Sequence, residues 1–173
     1  MTTYSADLIP TMTSETVPSG TVTKSSEYSS GYASWKAFDD DFDGPTGWIT
    51  GAGVTTGFIQ YQFTSGQVIA QYTITNDDSF TVRAADPVNW TFQGSNNGSS
   101  YTTLDTQTGQ TFTSGVKKLY PISNTTSYTY YKIDITLNNG HTYVGFAEME
   151  MMAVLLPSYV RNKRRSFHHM LIR

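Results

Sequence analysis

From Phe58 to Met152 the chain is cut by turn signals into runs that are too short, and alternate too regularly, to be helices. FIQYQF at 58–63 and VIAQYTIT at 68–75 are separated by Thr64, Ser65, Gly66 and Gln67, a hairpin-sized gap with a glycine. WTFQGS at 90–95 leads into Asn97 and Gly98, a type I′ turn signal. In YTYYKIDITL at 128–137 the side chains of Tyr131, Ile133, Ile135 and Leu137 fall on one face and those of Tyr130, Lys132, Asp134 and Thr136 on the other. One face is dry and one is wet. Asn138, Asn139 and Gly140 turn the chain again before TYVGFAEMEMM at 142–152. About eight strands with turns every eight to twelve residues predict an all-β antiparallel β-sandwich, immunoglobulin-like or jelly-roll.

A chain of 173 residues fits one domain of ordinary size. It has no cysteine, which excludes disulfides, thiol nucleophiles and cysteine-ligated metals. The N-terminal MTTYSADLIP lacks a basic region followed by an apolar run, and no stretch of 18 apolar residues occurs, so neither a signal peptide nor a membrane span is expected. Charge is distributed unevenly. Residues 1–152 hold all 14 acids against 6 Lys or Arg, while residues 153–173 hold 5 bases and no acid. An acidic body offers no positive surface for phosphates, so no nucleic acid is expected to bind it.

WKAFDDDFDGPTGW at 35–48 is too acidic for a buried strand and too aromatic for a solvated loop. Asp39, Asp41, Asp43 and Gly44 match the opening of a calcium-binding EF-hand loop, but Thr50 stands where that loop needs a bidentate Glu. Crowded carboxylates still favour a hard divalent cation, and Ca2+ is the expected ion, with Glu148 completing the shell. The alternative is a solvated acidic turn. Catalysis is not expected: Asp77, Asp78, Asp86 and Asp105 lie in or beside turn-like sequence, and His141, His168 and His169 form no triad or metalloprotease spacing.

Tyr28, Tyr32, Phe42, Phe80 and Tyr101 lie in or beside loop-like segments, where a ring can stack on a sugar or anchor a protein contact. Arg83 is the only arginine of the body. Tyr32, Phe80, Arg83 and Tyr101 are the candidate ligand-binding rim.

KAFDDDFDGPTGW at 36–48, FIQYQF, YTIT at 72–75, DPVNWTFQGSNNGSSYTTLDT at 86–106, YTYYKIDITLNNG and YVGFAEMEM, taken in this order, resemble the F5/8 type C (discoidin) family, close to galactose-binding-like carbohydrate-binding modules. The resemblance covers residues 9–152, with residues 1–8 as a lead-in. It implies a discoidin-like jelly roll of about eight strands and a structural Ca2+. In that pattern Asp39 and Thr46 give side-chain oxygens, Lys36 and Asp41 main-chain carbonyls, and Glu148 its carboxylate beside the Ala147 carbonyl. The acidic insertion DDDFDGP departs from the family's Asp-Gly-Asn and leaves the role of Asp43 open. Trp48 and Trp90 resemble the family's packing tryptophans. Members bind sugars, lipid headgroups or proteins through loops at the rim opposite the metal, so fold alone names no ligand.

The wording of MTSETVPSG and GSNNGSSYTTLDTQTGQTFTSG is similar to copies on tailed-bacteriophage virion proteins. The expected role is therefore host-glycan adhesion from the exterior of a phage tail, baseplate or capsid, in many copies. A structural decoration or connector protein is the alternative. Residues 153–173 read as an attachment tail to other virion proteins: Leu155, Leu156 and Phe167 would enter a groove, and Arg161, Lys163, Arg164 and Arg165 would meet an acidic rim.

Overall fold

The computed structural model describes residues 2–42, 47–76 and 85–155. Two eleven-residue strands, β3 (Gly57–Gln67) and β8 (Tyr128–Asn138), form the centre of its larger sheet. β1 (Thr21–Lys24) pairs with β3, while β5 (Pro87–Ser95) and β6 (Thr102–Gln107) follow β8, giving the order β1-β3-β8-β5-β6. The opposing sheet has the order β10-β4-β7, from β4 (Gln71–Ile74), β7 (Lys118–Pro121) and β10 (Met151–Met152). A short ladder joins β2 (Trp48–Ile49) to β9 (Gly145–Phe146). Every pairing is antiparallel. The β-sandwich is thus observed with ten strands among the described residues, the two-residue pieces accounting for the excess over eight.

The dry faces meet in an aromatic core. Tyr72 stacks between Phe92 and Tyr120, at centroid distances of 4.3 and 4.9 Å. Its hydroxyl donates to Asp105 Oδ2 at 2.7 Å and accepts the Trp90 indole N–H at 2.9 Å, so a polar atom inside the core is paired on both sides. Trp48 is also fully buried, with Nε1 donating to the Ser26 carbonyl at 2.8 Å. Both tryptophans pack, as expected.

Three local expectations need correction. The 64–67 gap is not a hairpin turn: β3 runs through it, and the chain then crosses to the other sheet, pinned where the Tyr131 hydroxyl meets Gln67 and Ile69. β5 and β6 do form a hairpin, but its connection is the longer loop 96–101, in which the Asn97 carboxamide accepts the Ser99 and Ser100 N–H groups. Leu137 does not share the dry face of Ile135; it is 47% exposed and Asn138 is buried instead. The register against β5 slips on either side of Asn89, and this bulge turns the end of β8 over.

The N-terminal lead-in extends the smaller sheet. Tyr4 bridges Val154, Ser5 N donates to the Ala153 carbonyl and Leu8 N to the Met151 carbonyl. Asp7 Oδ1 accepts the Met151 N–H at 2.8 Å. Both ends of the described chain therefore lie on one sheet edge.

Candidate functional site

Two 3-10 helices, Ser30–Tyr32 and Ser34–Phe38, carry the chain from β1 to the aspartates. The second buries Ala37 and Phe38, and the Ala37 carbonyl accepts the Met149 N–H at 2.9 Å. This contact sets the acidic loop beside the closing segment. Asp40 then adopts a positive φ of 58°, which Asp tolerates better than most residues. The turn directs the N–H groups of Asp39 and Asp40 at the same atom, Glu148 Oε2, each at 3.2 Å. Successive N–H groups in such a turn form a concavity that suits an anion.

Glu148 is 2% exposed, and its Oε1 is buried without a hydrogen-bond partner. Burial, with the charges of Asp39, Asp40 and Asp7 adding, pushes its carboxyl well above the ordinary range. Burial likewise raises Asp39 to about 6. Both carboxylates thus sit where negative charge is costly, with Lys36 offsetting only part of that cost at Asp39.

Of the other expected ligands, Asp41 N donates to Asp39 Oδ1 at 3.2 Å, Ala147 is buried with its N–H on the Thr75 carbonyl, and the Lys36 ammonium lies over the Trp35 ring. Thr46 and Asp43 lie outside the described residues. Among the described residues no group of three or more His, Asp or Glu side chains is arranged to hold a metal. The expected shell counts two described carboxylates, Asp39 and Glu148, together with the Thr46 side chain, outside the described residues, and main-chain oxygens. The unpartnered Oε1 of Glu148 and the carboxylate of Asp39 are the hard-oxygen donors that a calcium ion in this loop would use.

The rim candidates separate. Tyr101 folds onto the larger sheet: its ring lies 4.1 Å from the Lys132 ammonium and its hydroxyl bonds Gln60 Oε1 and the Gly98 carbonyl. Phe80 and Arg83 lie outside the described residues, as do Leu156, Arg161, Lys163, Arg164, Arg165 and Phe167 of the tail; Leu155 is described and is 51% exposed. Tyr32 joins a different cluster. Its ring meets Tyr28 edge-on at 6.0 Å, Tyr28 meets Tyr143 at 5.8 Å, and Tyr143 packs on His141 at 3.9 Å. Tyr28 is exposed, whereas Tyr32, His141 and Tyr143 are half-buried. Partial burial, with the Tyr32 and Tyr28 phenols nearby, raises the Tyr143 hydroxyl.

Sequence reasoning missed Tyr143, and weighed His141 only as a catalytic or metal-binding group, because TYVG reads as the start of the last strand. The available signal was an aromatic residue between the Asn-Asn-Gly turn and that strand. The structure also links the two regions: Tyr32 and Asp39 flank the second 3-10 helix, while Tyr143 and Glu148 flank β9.

No protein-family model matches the chain, and no curated protein matches it. Solved structures do. Chitosan-binding module 1 of a chitosanase/glucanase from Paenibacillus sp. IK-5 superposes with a TM-score of 0.65 at 22% identity, covering 85% of this chain and 98% of that one. A family 32 carbohydrate-binding module of Clostridium perfringens, solved with galactose, gives 0.65 at 16% identity over 78% and 93%. An F5/8 type C domain from Bacteroides fragilis gives 0.66 at 16% identity over 79% and 93%. The fold is that of the carbohydrate-binding, discoidin-like modules.

Proposed function

We propose that this chain is a non-catalytic carbohydrate-binding module that uses Tyr28, Tyr32 and Tyr143 as a platform for a sugar. The observation that carries this is the cluster itself: three phenols and an imidazole from two distant segments, gathered beside short loops and left partly open to solvent. Rings so placed offer apolar faces to the C–H face of a pyranose and hydroxyls to its rim. The solved modules of the same fold include one that binds chitosan and one complexed with galactose, which makes chito-oligosaccharides and galactose the first probes. Screening the chain against a glycan array tests the assignment, and loss of signal on replacing Tyr32 or Tyr143 locates it.

The same reading places the module on the surface of a tailed-phage particle, in many copies, attaching to host surface glycans. Its support is the resemblance of the Ser/Thr/Gly-rich segments to virion proteins. A decoration or connector role, with the C-terminal residues holding other virion proteins, is the second reading, favoured by the exposure of Val154 and Leu155. The reading also assigns Ca2+ to Asp39 and Glu148, where the ion would neutralise one half-buried and one buried carboxylate and tie the acidic loop to the closing segment. Its role there is structural.

A further inference from the structure

An apolar groove of about 440 Å³ opens on the smaller sheet, lined by Val68, Ala70, Asn124, Thr125, Ala153 and Val154. Its construction is local. Ala70 N donates to the Met152 carbonyl and Ile122 N to the Ala70 carbonyl, so three neighbouring strand ends run side by side there. Alanine at 70 and 153 leaves a depression between larger neighbours. Asn124 braces one wall by donating to the Ile69 and Thr126 carbonyls. Val68 and Val154, 37% and 42% exposed, both line this groove and so form one apolar patch rather than two scattered residues.

The groove lies at the point where the described chain ends. Val154 lines it, and Leu155, the last described residue, is held by its N–H on the Thr3 carbonyl. Eighteen residues, 156–173, follow from that lip. They alternate apolar groups (Leu156, Val160, Phe167, Leu171) with five bases and contain no acid. The groove's own lining carries no charge, and of the acids beside it Glu150 is paired with Lys117 while Asp7 Oδ1 accepts the Ile9 and Met151 N–H groups. Residues 1–152 hold 14 acids against 6 bases. The apolar lining suits the apolar residues of the segment, and the segment's bases oppose the net acidity of residues 1–152.

We propose that this groove is the docking site of the chain's own C-terminal segment, residues 156–173. Tethering at the lip gives the segment an effective concentration in the millimolar range, far above that of any copy in dilute solution. An external partner for the tail would have to compete with the groove.

The test uses the full chain and trypsin, which cuts after Arg161, Lys163, Arg164 and Arg165. Tail release is followed by mass spectrometry in wild type, Val68→Asp and Thr125→Asp, with thermal melts confirming that each variant is folded. Both positions sit at the solvent side of the groove, and two variants guard against one failing to fold. Docking predicts release about tenfold slower in wild type than in either variant, at every protein concentration. Equal rates in all three overturn the proposal. Protection that grows with protein concentration overturns it in favour of a second copy's tail.

Discussion

Glu148 Oε2 accepts the backbone N–H groups of both Asp39 and Asp40, each at 3.2 Å, across 109 and 108 residues of sequence. A single carboxylate oxygen therefore ties the acidic loop to the closing segment, while the other oxygen, Oε1, is buried and unpartnered. The fold reaches this contact through the β2–β9 ladder and the Met149–Ala37 hydrogen bond, both of which lie beside it.

Calcium is expected to raise the melting temperature of the wild-type chain, because an ion bound only by the folded state stabilises it by about 2.7 kcal/mol at a hundredfold excess over Kd. Glu148→Gln should abolish that response. In chelator at neutral pH the same variant should be at least as stable as wild type, since glutamine removes a buried charge and still accepts the two N–H groups. Differential scanning calorimetry with calcium and with chelator measures both effects; a wild-type melt indifferent to calcium contradicts the assignment.

Stability without calcium should fall as pH rises from about 4 to about 7. Burial raises the Asp7 carboxyl to about 7, with Glu150 and Asp40 adding like charge and Glu148 also within electrostatic reach. The unfolded chain ionises this group near its ordinary 3.8, so the folded state loses ground through the window between the two values. Asp7→Asn keeps an acceptor for Met151 N–H and removes the charge. It should match wild type near pH 4 and exceed it near pH 8 by on the order of 2 kcal/mol, read from urea melts across that range.

The joint between β2 and β9 has no room for a side chain. A Cβ on Gly145 would stand 2.0 Å from the Trp48 carbonyl oxygen, and one on Gly47 would stand 2.4 Å from the Phe146 oxygen, both backbone atoms. Gly145→Ala should cost about 3 kcal/mol or more through backbone displacement. Because Tyr143 and Glu148 flank this joint, calcium response and sugar affinity should weaken together in that variant, whereas Tyr72→Phe, a core change, should lower stability by about 1–3 kcal/mol and leave affinity intact.

Sandwich architecture was legible because the alternation of Tyr131, Ile133 and Ile135 demands one buried face, and the turn signals leave no segment long enough for a helix. That Asp39 and Glu148 lie close together was legible from charge and from resemblance, although the bond that joins them is from the Asp39 main-chain N–H to Glu148 Oε2. Leu137 was misjudged because a bulge is a property of two strands, and Asn89, its partner, gives no local sign of one. Tyr101 looked like a free loop aromatic; Lys132, Gln60 and the loop carbonyl of Gly98, which hold it, come together only in the fold. The Tyr28–Tyr32–Tyr143 cluster escaped notice for the same reason, its members being split between the start and the end of the chain.

The most direct test of the sugar-binding assignment is isothermal titration of wild type, Tyr32→Ala, Tyr143→Ala and Tyr101→Ala with chito-oligosaccharides and with galactose. The account predicts saturable binding of at least one sugar by wild type, affinity reduced about tenfold or more in the Tyr32 and Tyr143 variants, and little change in the Tyr101 variant. Absence of binding to either sugar and to a broad glycan array, or equal affinity in all four proteins, would contradict it.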